Sequence, residues 1–136
     1  MIVFLSCVKS KQKRQCEAQE MYVSDLFVKS LNYAKSLKPR KIFILSAKYG
    51  LLELSDVITP YELTLNSMTE RQRKVWAYKV IQQCQAKNID FDEPALFLCG
   101  ANYRKYVMTK FKNAEAPLKN LGIGRQLKFY KENTRS

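Results

Sequence analysis

Three short apolar runs organise this chain, and each breaks off into polar, thiol or basic residues. IVFLS at 2–6 runs into CVKSK at 7–11, KIFILS at 41–46 into AKYG at 47–50, and ALFL at 95–98 into CGANYR at 99–104. Runs of this length predict buried strands. The carboxyl ends of such strands are where open α/β sheets place their ligand chemistry. Between the first two runs, Met21, Leu26, Phe27, Leu31 and Ala34 recur at helical spacing, predicting one helix over about 17–37 that Pro39 ends. Strand, helix and strand in that order make a right-handed βαβ unit with parallel pairing.

Residues 51–68 keep no sustained period and contain Pro60, so they read as a long ordered loop carrying Tyr61 and Glu62. Thr69 reads as an N-cap with Glu70 in the first turn. The helix it opens runs to about residue 87, with Val75, Trp76, Val80 and Ile81 as its buried stripe. Gly100 marks a tight turn or a point of close approach before a helix over about 103–112. The tail stretch QLKFYKE at 126–132 fits either a fourth, edge strand or a short helix. No internal repeat is visible, and a single α/β domain over 1–136 is expected.

Composition narrows the class. At 136 residues, with 46% hydrophobic and 26% charged, the chain can bury one core without staples. No apolar stretch approaches a membrane span, and the N-terminal run is too short for a signal peptide, which points to the cytoplasm. Cys7, Cys16, Cys84 and Cys99 have no C-x-x-C spacing and the chain has no histidine, so reduced thiols are expected, with no metal and no cofactor. Net charge is +12, distributed as +7 over residues 1–50, −2 over 51–98 and +7 over 99–136. The two basic thirds hold the tips of the first and third strands, so folding could join them into one positive face that attracts polyphosphate.

The lack of histidine excludes Ser-His-Asp and Cys-His mechanisms. Proton transfer must fall to Asp, Glu, Lys, Tyr or Cys. Cys7 stands beside Lys9 and Lys11, cations that favour a thiolate, although a pocket-lining thiol is the simpler reading. The loop at 7–14 lacks glycine, so it is no P-loop. Lys48 and Tyr49 end the central strand, where they could bind phosphate or a base edge, or merely solvate and cap it. Glu62, then Glu53 and Asp56, are the carboxylates that follow a strand tip closely enough to return to it, or they simply solvate the loop. Tyr22, Tyr49, Tyr61, Tyr103 and Tyr106 alternate with Lys and Arg, the composition of a surface on which bases stack, and equally of core edges. Arg125, after Gly122-Ile123-Gly124, could present its planar fork to a phosphate.

CVKSK at 7–11, Tyr22-Val23-Ser24 with Phe27, ILSAKYGLL at 44–52, ITPYE at 58–62, Trp76 and GANYR at 100–104 together resemble a domain family of unknown function common in phage and bacterial genomes. That family is similar to the YaaA peroxide-stress proteins and, more remotely, to the uracil-DNA-glycosylase-like domain of archaeosine synthases. The resemblance implies a three-layer α/β/α fold, uracil-DNA-glycosylase-like, with a short, mainly parallel sheet of about four strands. It also implies nucleic-acid binding, or cleavage or exchange at a base–sugar bond. Its pattern falls on Cys7, Lys11, Tyr22, Ser24, Ser46, Lys48, Tyr49, Gly50, Tyr61, Glu62, Gly100, Tyr103 and Arg104. The chain departs from true uracil-DNA glycosylases in lacking an acidic water-activating motif after the first strand and a histidine for the leaving-group loop.

The function expected is therefore an enzyme acting on nucleic acid, DNA rather than RNA, or on a nucleotide at the N-glycosidic bond. The alternative is a non-catalytic DNA- or RNA-binding module with a basic face. Glu62, Lys48 and Tyr49 are the expected catalytic residues. Cys7, Lys9, Lys11, Tyr22, Ser24, Ser46, Tyr61, Gly100, Asn102, Tyr103, Arg104 and Arg125 are the expected substrate or phosphate contacts. No membrane partner is expected, and a monomer or weak oligomer is.

Overall fold

The structure, a computed structural model, describes residues 1–134. In chain order its elements are β1 (Ile2–Ser6), β2 (Cys16–Glu17), α1 (Ala18–Met21), α2 (Asp25–Ser36), β3 (Lys41–Ser46), β4 (Gly50–Glu53), β5 (Val57–Ile58), α3 (Glu70–Ala86), β6 (Ala95–Leu98), α4 (Ala101–Arg104), β7 (Ala114–Glu115) and α5 (Ile123–Asn133). The main sheet has the order β4-β3-β1-β6-β7 and is parallel except for β4, which pairs antiparallel to β3; β2 and β5 form a separate ribbon. The sheet thus has five strands rather than about four. Beyond the three apolar runs, the sheet gains β4 and β7.

Strand β1 lies at the centre, and Ile2 to Leu5 are wholly buried, as expected of a strand covered on both faces. Register pairs Phe4 with Phe43 on one side and Phe97 on the other. Their rings stack at 5.7 and 4.6 Å, with Phe111 edge-on to Phe4 at 5.4 Å. The chain steps from β1 to one neighbour, β3, and then across to the other, β6. With right-handed crossovers this puts α2 and α3 on opposite faces. Helix α2 packs on β1 and α5, and α3 packs against β4.

Several sequence expectations are corrected here. The helix over 17–37 is broken at Tyr22 to Ser24, because the backbone there pairs with the first loop instead: Gln12 N–H bonds Met21 O at 2.8 Å and Val23 N–H bonds Ser10 O at 3.0 Å. Ser24 then restarts the helix, its Oγ accepting from Phe27 N–H. The loop at 51–68 contains β4, β5 and a 3-10 turn at Leu65–Ser67. In α3 the buried residues are Trp76, Ala77, Val80 and Cys84, whereas Val75 is 65% exposed and Ile81 half-buried. The helix over 103–112 is one turn, α4, followed by a 3-10 turn at Met108–Lys110. Of the two alternatives for QLKFYKE the helix is the one formed: it is the body of α5, docked on α2 through Tyr33, Phe129 and Tyr130.

Candidate functional site

Because β1, β3 and β6 are adjacent and parallel, their carboxyl ends share one rim. A cavity of about 580 Å³ opens there, lined by Cys7, Val8, Lys9, Lys11, Tyr61, Glu62, Leu63, Thr64, Asn66 and Tyr103. Its walls come from the end of β1, the segment between β5 and α3, and α4.

Hydrogen bonds hold the walls. Tyr61 Oη lies 2.7 Å from both Ser46 Oγ and Tyr22 Oη, and Ser46 Oγ accepts from Tyr49 N–H at 3.0 Å. In this row of three hydroxyls either atom of each pair can donate, so rotation of the O–H groups reverses the direction of the bonds while each proton stays on its own oxygen. Burial raises the pKa of both Tyr22 and Tyr61, so these phenols stay neutral in ordinary buffers. Tyr103 Oη accepts from Cys7 Sγ at 3.4 Å and from Leu65 N–H at 3.3 Å, and burial pushes this phenol up to about 12. Behind it, Trp76 sets its ring edge to face on Tyr103 and donates Nε1–H to Ser46 O at 2.9 Å. Arg73 clamps the cavity segment from α3, donating to Leu65 O at 2.9 Å and Asn66 O at 3.3 Å.

Electrostatics distinguish Lys11 from the surface lysines. Its Nζ stands 4.6 Å from the Tyr61 ring centre and 6.0 Å from that of Tyr22. Burial lowers its pKa, an effect that Cys7 and then Glu62 partly oppose. The Nζ donates to Lys9 O at 3.2 Å, and the Lys11 backbone bridges to Tyr22. Among the described residues, neither Lys11 nor Glu62 is in an ion pair. No group of three or more His, Cys, Asp or Glu is placed to hold a metal ion among them.

The expected site residues divide. Cys7, Lys9, Lys11, Tyr61, Glu62 and Tyr103 line the cavity, with Tyr22 and Ser46 bonded behind Tyr61. Tyr103 contributes its hydroxyl, since its ring is packed on Trp76. Asn102 reaches the cavity edge by donating Nδ2–H to Asn66 Oδ1 at 2.8 Å. Lys48 is exposed outside the cavity over the ring of Tyr49, whose own hydroxyl bonds Thr59 Oγ1 at 2.9 Å. Arg104 turns away, donating to Cys99 O at 2.9 Å, and lines a separate hollow with Gly100. Ser24 caps α2 and Arg125 is exposed on α5. Lys11, Lys48 and Arg104 therefore do not converge on one cavity, and the cations that do are Lys9 and Lys11.

Thr64 and Asn66 were not apparent from the sequence. Their one signal is the TLNS string, in which Thr64 Oγ1 caps a short turn by accepting Asn66 N–H. Gly50 serves the fold rather than the chemistry. With φ at +76° it turns β3 into β4, and a Cβ there would collide with Gln83 Oε1. Gln83 bonds Leu51 N–H at 2.8 Å and Tyr49 O at 3.1 Å, tying the hairpin to α3.

No curated protein matches the chain. A family model does match, over residues 2–132, which takes in every element from β1 to β7, most of α5 and the whole cavity. On that match, the chain belongs to a family of unknown function, DUF6884.

Proposed function

We propose that the rim cavity receives one nucleotide unit and that the protein acts at its base–sugar N-glycosidic bond. The observation that carries this reading is that two cations, Lys9 and Lys11, one carboxylate without an ion pair among the described residues, Glu62, and apolar walls from Val8, Tyr61 and Leu63 line a single cavity. Its volume, about 580 Å³, is within the range of small-molecule sites. The activity class is also the one implied by the resemblance of ILSAKYGLL and GANYR, together with a uracil-DNA-glycosylase-like fold. In a polymer, the base would be flipped out to enter.

Each residue then has a role. Lys9, exposed at the mouth, neutralises phosphate. Glu62 stabilises positive charge on the sugar as the bond lengthens and takes a proton from the attacking water. Lys11, whose ammonium loses its proton more readily than a surface lysine, donates that proton to the departing base. The sum balances: water oxygen bonds the anomeric carbon, the carbon–nitrogen bond breaks, and the base leaves with the electron pair and a proton.

The test is release of free base from oligonucleotides and nucleoside monophosphates carrying modified and unmodified bases, read by mass spectrometry. Glu62→Gln and Lys11→Ala are each expected to slow release by about 100-fold or more, the usual scale for one acid–base group. Release unchanged in both would remove the mechanism. A second reading, a binding module without chemistry, is favoured by the net charge of +12. It expects salt-sensitive binding that survives Glu62→Gln, with no altered product.

A further inference from the structure

Residues 51–98 carry the chain's acidic excess, yet α3 inside that third presents a cationic face. Arg71, Lys74, Val75, Tyr78, Lys79 and Gln82 follow helical spacing and are all exposed. Val75 and Tyr78 are among the most exposed large apolar side chains, at 65% and 63%. After Glu70 the helix has no acidic residue, and Glu70 itself is engaged by Lys105, Tyr106 and Arg73. Among the described residues, Arg71, Lys74, Lys79 and the adjacent Lys48 have no acidic partner.

Neighbouring segments extend this face. Lys79 Nζ donates to Lys48 O at 3.4 Å, which brings the β3–β4 turn and its lysine alongside. An apolar groove between Ala47, Met68, Val75 and Trp76 runs beside the cations. The opposite side of the same helix holds the cavity wall through Arg73 and Trp76. From Arg71 to Lys79 the stripe is about 12 Å long, at the usual helical rise per residue.

We propose that this face of α3, with Lys48, is a track for a single nucleic-acid strand leading to the rim cavity. Phosphates lie on Arg71, Lys74, Lys79 and Lys48, and an unpaired base stacks on Tyr78. Spaced cations around a flat, exposed phenol suit a strand whose bases are free, because a duplex offers no base face and an acidic protein needs no stacking partner. The inference rests on the function proposed above and specifies its substrate as a polynucleotide rather than a free nucleotide.

The test is fluorescence anisotropy of a labelled oligothymidylate across a salt series, beside a thermal-shift assay with a nucleoside monophosphate. Arg71→Ala/Lys74→Ala/Lys79→Ala is expected to weaken oligonucleotide binding by tenfold or more and to reduce the salt slope by about 2, the value for three lost phosphate contacts. Tyr78→Ala is expected to cost about tenfold, the scale of one stacked base. Circular dichroism and melting should match wild type in both, and mononucleotide binding should persist. Wild-type oligonucleotide affinity in the triple variant, no effect of Tyr78→Ala, or equal competition by polyglutamate would each overturn the track. If the track variants lose the strand while intact protein releases no base, the chemistry falls and the track stands. Base release from oligonucleotides undiminished in the triple variant gives the converse.

Discussion

The two rims of the sheet use their charges in opposite ways. At the amino-terminal rim, Arg40 grips Glu93 with Nε and Nη2, the latter at 2.6 Å, while the Met1 ammonium reaches the same carboxylate at 3.2 Å. Glu53 is likewise shared between Lys41 and Lys87. Hydrogen bonds from Arg40 and from Lys41 hold the Glu93 and Glu53 carboxyls at about 2, well below the ordinary 4.5. At the carboxyl-terminal rim, Lys9, Lys11, Lys48 and Glu62 have no ionic partner among the described residues, and the order comes from buried tyrosines and Trp76. Hollows occur at both rims, and the one at the carboxyl-terminal rim is bordered by charges of both signs that have no ionic partner among the described residues. Charges satisfied within the protein add modest stability, whereas charges left open are available to a ligand.

Three variants break this contrast in order of effect. Trp76→Ala removes a buried ring and leaves the Ser46 carbonyl without its donor, so it is expected to cost about 3–5 kcal/mol in urea unfolding. Glu93→Gln at the other rim is expected to cost only about 1 kcal/mol, the upper end for exposed ion pairs. Its effect should depend on pH. A carboxyl whose folded pKa is depressed stabilises fully above its unfolded value and loses that contribution as pH falls through the folded one. The gap between wild type and Glu93→Gln should therefore be largest above about 4.5 and close towards 2. Equal gaps at pH values just above 4.5 and close to 2 would refute the ionic account of the lower rim. Lys11→Met, which removes a partly desolvated cation with no acidic partner among the described residues, is expected to stay within about 0.5 kcal/mol of wild type. A loss above about 1 kcal/mol would make Lys11 a structural residue.

The same contrast explains what could be read from the sequence. The three strands, their parallel pairing and their common rim follow from the apolar runs and the first crossover, because β1 and its neighbours are buried on both faces and read as continuous hydrophobics. That Cys7, Lys9, Lys11 and Glu62 lie at the rim was legible because they are within a few positions of a strand tip or of Pro60. The break at Tyr22 to Ser24 was not, since it depends on pairing with Ser10 and Gln12, and periodicity sees only one segment at a time. Lys48 and Arg104 looked equivalent to Lys11 for the same reason. All three follow a strand, but side-chain direction separates them, and Arg104 folds back to its own strand end. The face of α3 was hidden by averaging, because Glu53, Asp56, Asp90, Asp92 and Glu93 in the same third outweigh its cations in the sum and lie elsewhere in space.

The most direct measurement is a crystal structure of the protein soaked with a nucleoside monophosphate. The expected result is a base against Tyr61 and Leu63, its phosphate on Lys9, and its anomeric carbon facing Glu62. Density confined to the lower rim, between Arg40, Lys41 and Glu53, with the upper cavity holding only water, would contradict it.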